Sequence, residues 1–339
     1  MGFRGPIYQW IKSFLTNRKQ FVRIGDSSSE ILDTKMGVPQ GSTLGPLFFI
    51  LYINDMSNTL HNLNIVHFAD DSTIHTALNK NMNIATQINT NLSYVNRWLL
   101  ANKLYLNIGK TKYMLLSIKE KPPDLNLIIG NSCIERTNVQ KFLGIYIDDK
   151  ITFGVHTNKI SAKLSRGVGI LRKMKQTVPR SVLKQLFFSF IYSRVTYGIT
   201  CYGSAYQNQI QRIKNLIRRA LKLVVNRETL TPEICKNERL FDFDMAYEYF
   251  CGVNMYRIIQ LNNHEFLAAK LLSYQNSHSH ETRSVQNQNL NLPLFRKSKC
   301  QRSFLYNGIK IWNTLPLNIR TVQEDLNSFK KLLKNHLLS

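Results

Sequence analysis

Residues 64–76 read Asn64-Ile65-Val66-His67-Phe68-Ala69-Asp70-Asp71-Ser72-Thr73-Ile74-His75-Thr76. Two short β-type runs, 64–69 and 72–76, flank a pair of carboxylates, which is the pattern of a hairpin joined at Asp70-Asp71. Adjacent carboxylates on such a turn project from a rigid base into one small volume. Like charges that close cost free energy unless a cation neutralises them. Hard oxygen donors suit Mg²⁺, which takes one or two carboxylates together with water and substrate phosphates. Two such ions about 4 Å apart can clamp the attacking and leaving oxygens of a phosphoryl transfer. An Asp-Asp turn is also what a solvated loop carries, so the pair does not decide the chemistry by itself. His67 and His75 alternate along the runs and read as packing or surface residues, not as ligands.

Upstream lies the loop Gly37-Val38-Pro39-Gln40-Gly41-Ser42-Thr43-Leu44-Gly45. Its glycines let the backbone approach a flat ligand closely, and Gln40 can hydrogen-bond a base or a sugar; a helix-capping loop is the other reading. Pro46 suits a first helical turn, and Leu47 to Met56 supplies an apolar helix. Ahead of the loop stand an amphipathic run from Ile7 to Leu15 and a strand over 21–24, turning at Gly25-Asp26. Downstream, Ile84, Ile88, Leu92, Val95 and Leu99 recur at helical spacing, predicting a helix over 82–101. Strands are expected at 103–107 and 112–117, around Gly109-Lys110. Lys110 can offer a cation or a proton to a leaving phosphate, or stand as a plain surface lysine. Asn91-Leu92-Ser93 fits a glycosylation triplet but falls inside a predicted helix and is discounted.

Pro122-Pro123 marks a break. Short strands follow at 127–129, 132–135 and 139–147, with Gly130-Asn131 as a tight turn. After residue 150 the pattern is helical. Ile160, Leu164, Val168 and Leu171 share one face. Val182, Leu186, Phe190 and Ile191 share a second, and Ile210, Ile213, Leu216 and Ile217 a third. Tyr192, Tyr197 and Tyr202 can stack on bases, though core packing is the preferred reading. Residues 274–303 are polar and read as an exposed linker. A last segment, 304–338, reads as a helical cap burying Leu326, Phe329, Leu332 and Leu333. The order is α+β first, then all-α and basic, then a helical tail.

The chain has 339 residues, of which 43% are apolar, so wholesale disorder is excluded. Lys and Arg number 45 against 21 Asp and Glu, a net charge of +24. From Lys150 to Arg227 there is no Asp and no Glu. A field of one sign repels itself, and a polyphosphate backbone offsets it by displacing condensed counterions. Nucleic acid is therefore the favoured partner; a solvated basic face and an anionic membrane surface are the alternatives. The longest apolar run, Leu47–Ile53, falls far short of the ~20 residues of a spanning helix. No charged-then-apolar leader precedes Arg23, so neither secretion nor membrane insertion is expected. Cys133, Cys201, Cys235, Cys251 and Cys300 lie far apart and read as reduced thiols of a nuclear or cytoplasmic protein.

Taken in order, several motifs resemble one family. They are Gly37-Val38-Pro39-Gln40-Gly41-Ser42-x-Leu44-Gly45-Pro46-Leu47-Phe48, Tyr52-Ile53-Asn54-Asp55, Phe68-Ala69-Asp70-Asp71, Trp98…Asn102-Lys103-Leu104…Asn107…Lys110-Thr111-Lys112 and Phe142-Leu143-Gly144-Ile145. The tail Trp312-Asn313-x-Leu315-Pro316…Ile319-Arg320 joins them. Together they resemble the reverse transcriptases of non-LTR (LINE), jockey-like retrotransposons, over essentially the whole chain. The resemblance implies a partial polymerase palm over 1–118, a small β primer-grip region over 119–149 and a basic helical thumb over 150–230. A helical connection over 231–273, the polar linker 274–303 and a tail segment 304–339 would follow. It implies that Asp70 and Asp71 bind catalytic Mg²⁺, or Mn²⁺ in its place, and that Lys110 serves the pyrophosphate leaving group. Gln40, Gly41, Phe68 and Ala69 would touch the incoming dNTP and the template. Phe142, Leu143 and Gly144, with Ile145, would grip the primer. Lys159, Lys163, Arg166, Arg172 and Lys173 would hold the backbone of the RNA template–DNA primer duplex.

One departure matters. Polymerases of this family carry a further metal-binding Asp in a Phe-Asp motif on an earlier palm strand, and Met1-Gly2-Phe3-Arg4-Gly5 already matches a point downstream of it. Asp26 and Asp33 lack that motif's apolar strand context. The expectation is that this chain does not polymerise DNA alone, that the N-terminal remainder of an element-encoded protein is its partner, and that residues 1–118 expose an unpaired edge and apolar surface. The competing readings are a non-catalytic nucleic-acid-binding remnant and a group II intron maturase-like protein, which shares the Ala-Asp-Asp motif but not the expected Trp-Asn-x-Leu-Pro tail.

Overall fold

A computed structural model of the chain describes residues 2–77, 84–116, 124–272, 289–322 and 325–339. They form a mixed α and β structure in two compact units. One comprises the residues up to Tyr113 with segment 124–136; the other comprises segment 114–116 and everything described from Thr137 on.

The first unit opens with α1 (Gly5–Leu15), started by Pro6 and burying none of its residues. Then β1 (Arg18–Gln20) pairs antiparallel with β4 (Leu32–Thr34). Between them β2 (Arg23–Ile24) and β3 (Ser27–Ser28) make a second small antiparallel pair. The expected strand over 21–24 is thus half its length: Phe21 and Val22 bridge the two pairs, and the Val22 N–H donates to Ser29 Oγ at 2.9 Å. Helix α2 (Gly45–Ile53) carries Pro46 in its first turn and passes into a 3₁₀ turn, Asn54–Thr59. The hairpin of β5 (Asn64–Phe68) and β6 (Asp71–His75) follows, then α3 (Ile84–Ala101); positions 82–83 of the predicted helix lie outside the described residues. Ile53 and Met56 pack against Val95 and Leu99, and Leu92 on another side of α3 packs against Leu127, Ile129 and Ile134.

No strand forms at 103–107. Lys103 instead takes φ +54°, and the N–H groups of Lys103 and Leu104 donate to the carbonyls of Leu100 and Leu99 at 3.0 and 2.8 Å. That double bond is a left-handed helix stop, and it satisfies carbonyls the helix end would otherwise orphan. The strand expected over 112–117 is only β7 (Lys112–Tyr113) among its described residues; residue 117 and Pro122-Pro123 lie outside them. β8 (Ile128–Ile129) and β9 (Ser132–Cys133) turn about Gly130 at φ +58°. β10 (Glu135–Arg136) pairs with β7 in parallel.

The second unit begins with a hairpin, β11 (Val139–Phe142) against β12 (Ile145–Asp148), where one strand was expected over 139–147. Helices follow: α4 (Gly154–Met174), α5 (Arg180–Phe187), a π-helical turn at Phe188–Tyr192, α6 (Ser193–Thr196), α7 (Ile199–Tyr202) and α8 (Gln207–Val225). The first and third predicted faces are buried as read. The second is shifted: Leu183, Phe187, Ile191 and Val195 are buried, while Val182 is 36% exposed. The wider π turn keeps a four-residue spacing on the core side. Tyr202 is fully buried and Tyr197 exposed.

Next come α9 (Pro232–Asn237), α10 (Phe243–Ile259), α11 (Glu265–Leu272), α12 (Ser298–Gln301), α13 (Phe304–Thr314), α14 (Leu317–Arg320) and α15 (Leu326–Leu338). Of the expected linker, residues 274–288 lie outside the described residues. From Asn289 the chain is tied down: the Asn313 side chain accepts from the Leu290 N–H at 2.9 Å and donates to its carbonyl at 2.7 Å. Helices α13 and α15 lay Trp312 and Phe329 against Tyr256 of α10, whose ring stacks on Phe329 with centroids 4.2 Å apart. Phe329 and Leu333 are buried and Leu326 partly so, but Leu332 is 42% exposed. No helix among the described residues is long and apolar enough to cross a membrane. All five cysteines are free thiols.

Candidate metal-binding and nucleic-acid site

The hairpin register pairs Phe68 with Asp71 and Asn64 with His75. The two-residue turn is therefore Ala69-Asp70, and Asp71 opens β6, one residue away from the expected Asp70-Asp71 junction. Ala69 sits at φ +51°, in the left-handed region that a tight hairpin turn demands at its first central position. Phe68 is 61% exposed, and Ala69, Asp70 and Asp71 are exposed with it. Among the described residues neither carboxylate forms an ion pair. His67 pairs with Ser72 one step from the turn, its Nδ1 2.9 Å from Ser72 Oγ, and burial pushes its imidazole below the ordinary 6.5. It is a packing residue, as read.

Two adjacent, unpaired, solvent-facing carboxylates have the donor chemistry that Mg²⁺ prefers. They fit part of such a centre. Among the described residues no group of three or more His, Cys, Asp or Glu side chains is placed to hold a metal ion.

The glycine loop folds onto the start of α2. Gly37 and Gly41 take φ +78° and +81°. Ser42 Oγ donates to the Pro39 carbonyl at 2.8 Å and accepts from the Gly45 N–H at 3.1 Å. Arg18 donates to the Gly37 carbonyl. The loop thus caps a helix and at the same time leaves Gln40 and Gly41 exposed. Lys110 lies in a turn whose N–H groups at Lys110 and Thr111 donate to the Asn107 carbonyl at 3.1 and 3.0 Å; its side chain is exposed.

Packing joins two motifs that the sequence separates. Tyr52 of α2 donates its hydroxyl to the Asn102 carbonyl, and its ring lies 6.4 Å from Trp98. Asn91 is buried, accepting from the His61 N–H at 2.6 Å and donating to the His61 carbonyl at 3.3 Å. It is structural, which agrees with discounting the glycosylation triplet.

In the second unit Leu143 and Gly144 form the hairpin turn between Phe142 and Ile145, at φ +44° and +87°. A leucine in that region is strained. Tyr197 holds it, donating its hydroxyl to the Leu143 carbonyl, and a Cβ on Gly144 would stand 3.1 Å from the Tyr197 ring. On α4, Lys159, Lys163, Arg166 and Lys173 form an exposed stripe roughly opposite the buried Ile160, Leu164, Val168 and Leu171. Arg172 is also exposed, to one side of that stripe. Two residues that sequence reasoning missed support this helix. Asp148 is buried, and its carboxylate accepts from the N–H groups of Thr152 and Phe153 at 2.9 and 2.7 Å and from Thr152 Oγ1 at 3.0 Å. His156 is buried against Tyr202 with ring centroids 4.9 Å apart, and burial, helped by Lys163, pushes its pKa down to about 4. Only the hydrophilic residue type inside an apolar pattern could have pointed to either.

The carboxylate-bearing hairpin, the glycine loop and the capped α3 fall inside a match to one family. Residues 1–147 match the family model described as Reverse transcriptase (RNA-dependent DNA polymerase). The relatives sharpen the class to non-LTR retrotransposon polymerases, in keeping with a jockey-like reverse transcriptase. The chain is 26% identical to a probable RNA-directed DNA polymerase from transposon BS of Drosophila melanogaster, over 66% of this chain and 26% of that protein. It is 25% identical to the probable RNA-directed DNA polymerase from transposon X-element of the same fly, over 66% of this chain and 25% of that protein. It is 24% identical to the RNA-directed DNA polymerase from mobile element jockey, over 66% and 25%. The chain thus spans about a quarter of the length of these curated relatives. No solved structure matches it.

Proposed function

We propose that the chain is the part of an RNA-directed DNA polymerase that presents two metal-binding carboxylates and grips the template–primer duplex. One observation carries the reading: Asp70 and Asp71 stand exposed, and without an ion pair among the described residues, at the tip of a hairpin inside the matched family segment. Asp70 and Asp71 would hold Mg²⁺, or Mn²⁺, through their carboxylate oxygens. The metal, when bound, supplies charge neutralisation for nucleotidyl transfer from a dNTP. Gln40 and Gly41 offer an amide and an open backbone to the nucleotide and template, with Phe68 and Ala69 flanking the carboxylates. Lys110 offers a cation to the departing pyrophosphate. The 142–144 turn steadies the primer strand, and the α4 cations, Lys159, Lys163, Arg166, Arg172 and Lys173, neutralise duplex phosphates. In this reading residues 1–118 are palm and 150–230 thumb, the N-terminal remainder of an element-encoded protein is a partner, and the work is nuclear or cytoplasmic.

Binding without catalysis is a second reading, in keeping with the finding that no third His, Cys, Asp or Glu among the described residues joins the pair in a metal-holding group. The two separate in one assay. The chain is given an RNA–DNA template–primer, dNTPs and Mg²⁺, with Asp70→Asn as control. We expect the duplex to bind in both forms and no extension by the chain alone. Extension that Asp70→Asn abolishes would overturn the second reading, and failure to bind the duplex would overturn both.

A further inference from the structure

The β11–β12 hairpin and the first turns of α4 gather cations that form no ion pair among the described residues. The register places Lys141 directly opposite Tyr146, so both side chains leave the same face of the hairpin. On α4, His156, Lys159 and Lys163 follow at spacings that bring them to one side of the helix. That side packs on β12: the Tyr146 N–H donates to His156 Nδ1 at 3.3 Å, and Lys159 Nζ stands 3.9 Å over the Tyr146 ring. Lys141, Lys159 and Lys163 are exposed. The phenol is held below the ordinary 10 by its hydrogen bond with Lys159, burial opposing, and then by the charges of Lys159, Lys141 and Lys163. The nearby Asp148 is turned into the 152–153 backbone and answers none of them. No Asp or Glu follows until Glu228 once Lys150 is passed. Ammonium groups so placed repel one another, and an anion seated among them removes that cost.

We propose that Tyr146, Lys141, Lys159 and Lys163 form a clasp for a single backbone phosphate of a bound nucleic-acid strand. The phenol O–H and the ammonium N–H groups are the donors. A compact phosphate with three accessible oxygens matches several point-charge donors better than it matches one planar fork. The clasp rests on the duplex-gripping reading above, and it adds Lys141 and Tyr146 to the lysines already placed on the backbone.

The test uses the full chain and an RNA–DNA hybrid carrying one methylphosphonate at a time along the DNA strand. In the wild-type chain, one position is expected to weaken binding markedly more than its neighbours. In Lys159→Gln/Lys163→Gln that position falls silent, and Tyr146→Phe, which keeps the ring and loses the donor, reduces its effect. The salt slope of binding falls by about 1 in the double variant. Arg172→Gln/Lys173→Gln, which alters α4 away from the hairpin, lowers affinity and leaves the position-specific effect intact. A flat methylphosphonate profile, or one that the double variant leaves unchanged, overturns the clasp while the duplex-gripping reading stands. No binding of the unmodified hybrid by a chain that melts cooperatively overturns the reading beneath it as well.

Discussion

Helices α3 and α8 are nearly equal in length, 18 and 19 residues, and meet very different fates. α3, in the first unit, buries Asn91, Leu92, Val95 and Leu99. α8, in the second, buries Ile210, Ile213, Leu216, Ile217, Ala220, Leu221, Val224 and Val225. The same contrast runs through each unit. The second closes one continuous core from Ile160 to Ala246 and a second one around Tyr256 and Phe329. Among the described residues of the first, α1 buries nothing, Ile7 is 60% and Trp10 56% exposed, and each sheet is two-stranded. The second unit buries large apolar cores, and we expect it to carry more of the chain's stability than the first.

The largest expected effect tests that contrast directly. Phe187→Ala in the second core should cost about 3–5 kcal/mol, because its ring is fully buried. Trp10→Ala should cost under about 0.5 kcal/mol in the same full chain. Urea unfolding followed by amide exchange of α4 and α8 separates the two. Comparable losses from both variants would mean that α1 belongs to a packed core after all.

Next in size is Asp148→Ala. It removes three hydrogen bonds and leaves the Thr152 and Phe153 N–H groups without their acceptor at the entry to α4. The loss should be about 2–4 kcal/mol, read as a lower urea midpoint with an unchanged slope. A loss within about 0.5 kcal/mol would show that the turn holds without its carboxylate.

A smaller effect comes from His156. Folded, it titrates near 4; unfolded, near its ordinary 6.5. Between those values the unfolded chain binds the extra proton, so stability falls as pH drops through that window and the loss is complete below about 4. Allowing for solvent screening, the loss is about 1–2 kcal/mol. Midpoints at pH 7 and pH 5 should differ less in His156→Gln than in the wild type. Equal differences would assign the acid sensitivity elsewhere.

What was legible in the sequence divides along the same line. Period-two alternation around Asp70-Asp71 gave the hairpin, and period-3.6 spacing gave α3, α4 and α8, because those signals are local. The turn at Leu143 was not legible: leucine does not advertise a left-handed conformation, and Tyr197, which stabilises it, lies 54 positions away. Residues 103–107 alternate like a strand, yet Lys103 ends α3 in a left-handed cap, and backbone hydrogen bonds decide between the two. The face of α5 slipped by one residue because a π turn leaves no mark in composition. At the site, the carboxylate pair was legible as residues and the Tyr52–Asn102 junction was not, since only the fold brings α2 to the end of α3.

The smallest expected effect on stability is the most informative about the hairpin tip. Asp70 is exposed, sits in a turn and makes no ion pair among the described residues. Asp70→Asn should therefore change stability by no more than about 0.5 kcal/mol. Relief of repulsion with Asp71 should make the change, if any, slightly favourable. Mn²⁺ binding, read as paramagnetic broadening of resonances from Phe68 to Ser72, should weaken in the same variant. A structural carboxylate would give the opposite pattern, a large loss of stability with broadening unchanged. The contrast with Asp148 makes the comparison internal: one acid is buried and answered by three donors, and the other is left open at the tip of a two-stranded sheet.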